Sequence, residues 1–239
     1  MIYDELVERF IRYCLIDSHS QRGVGETVPS TSKQFELARI LEYELKHIGI
    51  YAETSEFCTV YESIPSNVDH TTETIGFFVH LETSPDAPAS PVIPAIHKKI
   101  TGENIKLCDG VTIQTKDLMM YKDQDIISSD GNTLLGADDN AGVAALIQFA
   151  TIIQRNSNIQ HGNIKKCFTQ DEEIMNGIYQ LNEYIQDDTQ QEIQLQPKCS
   201  QFQLAIIFLY ITCNVDSTKK CQSYYVIASA LLSGRSSVA

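Results

Sequence analysis

An α/β fold, with a mixed and largely parallel sheet flanked by helices, is predicted by three features of the sequence. Strand-like and helix-like stretches alternate along most of its 239 residues, the pattern that lays helices over such a sheet. Stretches bearing acids or histidine fall where strands end or helices begin: His80 closes a strand, Asp138 precedes a helix, and Glu172-Glu173 follow a strand. In open α/β sheets, ligands gather at the carboxyl ends of the strands. Finally, 43% apolar and 21% charged residues is the balance of a globular domain with a sizeable core.

The first element is a helix over Tyr3–Ile16, where Leu6, Phe10, Tyr13 and Cys14 share a face. Residues 19–32, HSQRGVGETVPSTS, read as a loop that ends in a capping-box signature, Thr31 with Gln34 three positions on. A second helix runs to about His47 with Ala38, Leu41, Leu45 and Ile48 as its apolar stripe, and Gly49 stands where helices end. Tyr51–Tyr61 reads as one strand and TIGFFVH (74–80) as a buried one. The Pro-rich run after His80 breaks regular structure. Ile126-Ile127 and Leu134-Leu135 flank SSDGNT, a hairpin-like turn. Val143–Ile153 is a helix, NIKKCFT (163–169) a strand, and EEIMNGIYQLNEYI (172–185) a return to helix. A Gln-rich segment, 187–201, then separates this region from two strand-like apolar runs, 202–213 and 224–232.

A net charge of -13 argues against nucleic acid and anionic membranes as main partners, since both need a basic face. The start, MIYDELVERF, lacks the basic-then-apolar order of a secretory signal. Its longest apolar run, Leu204–Cys213, falls far short of the roughly 20 residues that span a bilayer. Seven cysteines, odd in number and without a C-x-x-C pair, read as reduced thiols of a cytoplasmic protein.

The stretch LLGADDNAGVAAL (134–146) places Asp138 and Asp139 side by side between a glycine and a helix. Acids there are favoured by the helix dipole, and equally one of them can ligate a metal. Zinc takes imidazole nitrogen and carboxylate oxygen at about 2.0–2.2 Å. Two such ions about 3.5–4 Å apart share a carboxylate, and the attacking water needs an unligated carboxylate as base. A calcium loop is excluded, because DGNTLLGADD lacks the D-x-D-x-D-G pattern and its closing Glu.

Three ordered motifs, HLETSPD (80–86), DGNTLLGADDNAGVA (130–144) and FTQDEE (168–173), resemble those of the peptidase T family, tripeptide aminopeptidases within the co-catalytic zinc exopeptidases. The similarity covers roughly residues 3–186. It implies a zinc-exopeptidase-like catalytic region over 1–186, followed by a loop or insertion at 187–201 and a tail of uncertain homology at 202–239. It also implies a cytoplasmic metallo-aminopeptidase that cleaves the N-terminal bond of tripeptides, with a short peptide as partner and two Zn2+ ions. Carried over by position, His80 resembles a ligand of the first zinc, Asp138 the bridging carboxylate, Glu173 a ligand of the second, and Glu172 the general base. Asp139 would follow a cis peptide. Glu82 takes the place of an Asp that orients the imidazole, and Asp216 is the nearest match to a further ligand, with Ser217 where the family has glycine. The family's lid domain and late His ligand are expected to be missing, as none of His19, His47, His70, His97 or His161 sits in a matching motif. Two other readings stay open: an inactive relative, and an acidic metal- or peptide-binding module.

Overall fold

The computed structural model describes residues 2–177, apart from 26, 71 and 73, together with 225–226. Its elements begin with α1 (Ile2–Cys14), α2 (Gln34–His47), β1 (Tyr51–Thr54), β2 (Val60–Ile64), β3 (Ile75–His80) and β4 (Ala95–His97). They continue with β5 (Ile105–Lys106), β6 (Thr112–Ile113), α3 (Thr115–Leu118), β7 (Ile126–Ser128), α4 (Ala137–Arg155), β8 (Ile164–Thr169) and β9 (Tyr225–Val226). These residues form two units, one joining the chain up to Val92 with the segment from Gly136 onward, the other spanning Ile93–Leu135 with β9.

In the first unit, a sheet of order β1-β2-β8-β3 carries a layer of helices. α4 packs on β3, α2 packs on β1, β2 and α4, and α1 packs on α4. The apolar faces read from the sequence are those that meet: Tyr13, Leu37, Leu41, Leu45, Val143, Ile147 and Phe168 are fully buried. Each such side chain contributes about 1.5–3 kcal/mol by leaving water. Charged side chains fasten the edges of this layer. Glu44 on α2 pairs with Arg9 and Arg12 on α1, and Glu5 on α1 pairs with Arg155 on α4.

The expected mixed sheet is present, but its parallel share is smaller than anticipated. β3 and β8 run parallel, whereas β1-β2 and β2-β8 are antiparallel. The cause lies at 51–61, which folds as two strands and not one. Ser55 Oγ accepts the Phe57 and Thr59 amides, and Cys58 takes a positive φ of 75°. A tight turn therefore divides the stretch read as one strand. β3 is only partly buried, with Ile75 exposed, because β8 flanks it on one side alone among the described residues.

Two local expectations fail for the same reason, competition from polar side chains. The capping box is absent: Lys33 stands at the N-cap of α2, Thr31 Oγ1 donates to the His19 carbonyl, and Gln34 turns inward. The SSDGNT segment makes no hairpin, since β7 pairs with β4 and β9. Instead Ser129 Oγ accepts the Gly131 amide and donates to the Thr133 carbonyl, and Asp130 accepts the Asn132 amide. Glu172–Ile174 forms one turn of 3-10 helix, but the helix expected over 172–185 does not continue through 175–177, where Met175 takes a positive φ of 62°, and 178–185 lie outside the described residues.

The second unit has its own small core of Ile100, Ile113, Leu118 and Ile126. Among the described residues, no helix is long and apolar enough to cross a membrane.

Candidate functional site

Parallel pairing of β3 with β8 sets His80 opposite Thr169, so both strands leave the sheet at the same end. The turn after β8 carries Glu172 and Glu173, and the start of α4 carries Asp138 and Asp139. Gly136 allows that start to come close. It holds φ at 74°, and a Cβ there would lie 2.9 Å from Thr83 Cγ2. Asp138 and Asp139 depart from helical geometry, and the peptide between them is cis, in line with what the resemblance implies.

The ring of His80 is buried and fixed from both sides. Nδ1 donates to the carbonyl oxygen of Glu82 at 3.0 Å, which leaves Nε2 facing Asp138 Oδ1, also at 3.0 Å. Glu172 Oε2 stands 3.9 Å from the same nitrogen. Possible ligand atoms of His80, Asp138 and Glu173 lie within 4.8 Å of one another, and so do those of His80, Glu82 and Glu172. These two overlapping groups could hold a metal ion. Asp216 lies outside the described residues.

Glu82 acts through both its main chain and its side chain. The main-chain carbonyl of Glu82 orients the imidazole, while its carboxylate is 3.6 Å from Nδ1 and accepts the Glu173 amide at 2.9 Å through Oε1. The Glu82 carboxylate thus ties the exit of β3 to the turn after β8. Its other oxygen, Oε2, is buried without a partner among the described residues.

Negative charge dominates the site, and the positive group at its centre is the His80 imidazole. Burial pulls that imidazole down, but Asp138, Glu82 and Asp139 outweigh it and push it up to about 10. Burial pushes the Glu82 carboxyl up to about 7 and that of Asp139 up to about 6, and Glu173 is raised by burial and by Asp138. Carboxylates held this unfavourably suit a cation as their missing partner.

Known proteins share this arrangement of sequence. A peptidase T of Clostridium perfringens is 42% identical over 174 residues, 71% of this chain and 43% of that protein. A peptidase T of Alkaliphilus oremlandii is 40% identical over 180 residues, 72% of this chain and 44% of that protein. Over this stretch the chain is a homologue of peptidase T. It spans less than half the length of these curated peptidase T relatives. Among solved structures, the aminopeptidase PepT of Bacillus cereus shares the fold, with a TM-score of 0.50 at 22% identity over 71% of this chain and 37% of that one. No family model matches the chain.

The structure brings together His80, Glu82, Asp138, Glu172 and Glu173, all singled out in the sequence. It adds Asp171, which sequence reasoning missed. Asp171 is fully buried, and its carboxylate accepts from the Ser30 amide at 2.6 Å, Ser30 Oγ at 2.5 Å and Gln34 Nε2 at 2.7 Å. The only trace in the sequence is a third acid beside the glutamate pair.

Proposed function

We propose that this chain carries the metal-binding half of an aminopeptidase that hydrolyses the N-terminal bond of tripeptides. The observation that carries the reading is the convergence of one imidazole and several carboxylates, from three separated segments, at the ends of parallel strands. This donor set fits zinc, which takes nitrogen and oxygen ligands, and the unpartnered Oε2 of buried Glu82 is a further sign of a missing cation.

His80 and Asp138 would hold a first ion, and Asp138 with Glu173 a second, with Asp216 completing the donor set. When bound, zinc polarises the scissile carbonyl and acidifies water. Glu172, exposed and directed at the cluster, takes a proton from the attacking water and returns it to the leaving amine. The Glu82 carbonyl keeps the His80 ring in one orientation, and the Glu82 carboxylate holds the Glu173 main chain. A short peptide is the substrate in this reading, and the cytoplasm its setting. The region 1–186 serves as the catalytic part, with 187–201 as an insertion and 202–239 as a tail.

The test is zinc content together with tripeptide hydrolysis by purified protein. At least one zinc per chain with release of the N-terminal residue supports the proposal. Bound zinc without hydrolysis overturns the peptidase reading and leaves a metal-binding module, and absence of both zinc and hydrolysis rejects the metal site as well.

Asp139 provides an independent check through its support. Its Oδ1 accepts the Gly142 amide at 3.0 Å, and a Cβ on Gly142 would lie 2.3 Å from that oxygen. Gly142→Ala is therefore expected to push Asp139 away and disturb Asp138 beside it. Losses of about 10–100-fold in metal affinity are usual when a supporting group moves. Titration of the variant with Zn2+ by calorimetry measures the change, and unaltered affinity would remove Asp139 from the supporting shell.

A further inference from the structure

We infer that Ser30, Gln34 and Asp171 form a buried positioning device that sets Glu172, and this inference rests on the peptidase reading above. Asp171 immediately precedes Glu172 and takes a left-handed conformation, φ 55° and ψ 26°. Asp tolerates that region better than most residues, but the conformation still needs support from its surroundings. The support comes from a distant part of the chain: Ser30 and Gln34 lie 141 and 137 residues away.

The hydrogen bonds interlock, and Gln34 Oε1 is left buried without a partner among the described residues. Ser30 Oγ donates to Asp171 Oδ1 and accepts from the Gln21 amide at 2.9 Å and from Gln34 Nε2 at 3.3 Å. The Ser30 amide holds the other carboxylate oxygen. Downstream, the Asp171 carbonyl accepts the Asn176 amide at 3.0 Å, and the Glu172 carbonyl accepts the Met175 amide at 2.8 Å. Gln170 Oε1 accepts Thr59 Oγ1 at 2.7 Å, and Glu82 holds the Glu173 amide. The turn carrying Glu172 is thus fastened at 170, 171 and 173, and the fastening at 171 is the one built from buried side chains of the loop and the start of α2.

A device of this kind has a specific purpose in proton transfer. The Glu172 side chain is 54% exposed, so its own contacts do not fix it, and its main chain must. Misplacement of a reacting group by about 1 Å can lower a rate about 10²-fold. Gln34 is spent on this contact at the expense of capping its own helix, which has no side-chain cap.

The experiment compares the full chain with Ser30→Ala/Gln34→Met, and with Ser30→Thr as the conservative control. Three readouts are taken: amide hydrogen exchange, Co2+ affinity, and kcat against KM for a tripeptide. The double variant is expected to speed exchange at the Glu173, Met175 and Asn176 amides about tenfold or more, while β3 and β8 amides keep their protection. It is expected to lower kcat about 10–100-fold with KM little changed, with Co2+ still bound; Ser30→Thr keeps wild-type values. Unchanged exchange in the turn overturns the inference, as does equal loss of protection in β3 and β8, which marks a merely structural role. Should the double variant not fold, Ser30→Ala alone is read by the same criteria. A wild-type chain that binds Co2+ but hydrolyses no peptide defeats the peptidase reading, and the exchange comparison then decides the positioning role alone.

Discussion

On the proposed peptidase reading, Glu172→Gln is expected to lower tripeptide turnover by about 10²–10⁴-fold, the range that a general acid–base group supplies, and to leave bound metal in place. An amide has the shape of the carboxylate but cannot take the proton from water. Glu172 Oε2 stands 3.9 Å from His80 Nε2, at the edge of the cluster, whereas Glu173 shares the cluster of His80 and Asp138. Glu173→Gln should therefore behave in the opposite sense, releasing metal as activity falls. Steady-state kinetics combined with metal analysis of each variant separate the two roles. Equal loss of metal and activity in Glu172→Gln would reassign it as a ligand.

Lys166→Met is expected to destabilise the fold by about 3–5 kcal/mol, whereas the double change Glu62→Leu/Lys166→Met is expected to restore or raise stability. Glu62 on β2 and Lys166 on β8 are cross-strand partners, both fully buried, with Lys166 Nζ donating to Glu62 Oε1 at 2.5 Å. Lys166 also reaches the Leu146 carbonyl at 3.3 Å and lies 5.0 Å from the centre of the Phe149 ring. Removing the lysine leaves a carboxylate in the core with nothing to meet it. Removing both replaces two desolvated charges with apolar volume.

The pH dependence of the pair follows from burial. Desolvation pushes the Glu62 carboxyl up and the Lys166 ammonium down, and their mutual attraction opposes both shifts. A raised carboxyl contributes stability at acid pH that is lost as pH climbs through its folded value. A lowered ammonium contributes stability at high pH that is lost as pH falls through its folded value. At neutral pH the pair therefore gives its least. Denaturant midpoints of wild type and double variant across pH should differ most near neutrality, with the double variant the more stable. A wild type that gains most there would show that attraction outweighs desolvation.

Periodic features were readable because periodicity is local. The stripe of α1 with Phe10, Tyr13 and Cys14, the run from Val143 in α4, and the apolar strand β8 each follow from which faces must leave water. The metal cluster was readable for a different reason: His80, Asp138 and Glu173 sit in motifs whose residue types and order are uncommon. The turn at Ser55–Thr59 was missed because its polar residues in ETSEFCT (53–59) are equally compatible with the exposed positions of a longer strand.

Side-chain chemistry near each segment, then, determined most helices and strands and the acids of the candidate metal cluster. Only tertiary structure decided that Gln34 abandons its helix to hold Asp171, that Glu62 meets Lys166 across two strands, and that Glu82 grips the Glu173 amide. Those contacts join residues 91 to 137 positions apart. No local preference encodes them, because a buried polar group takes whichever partner the closed chain brings within reach.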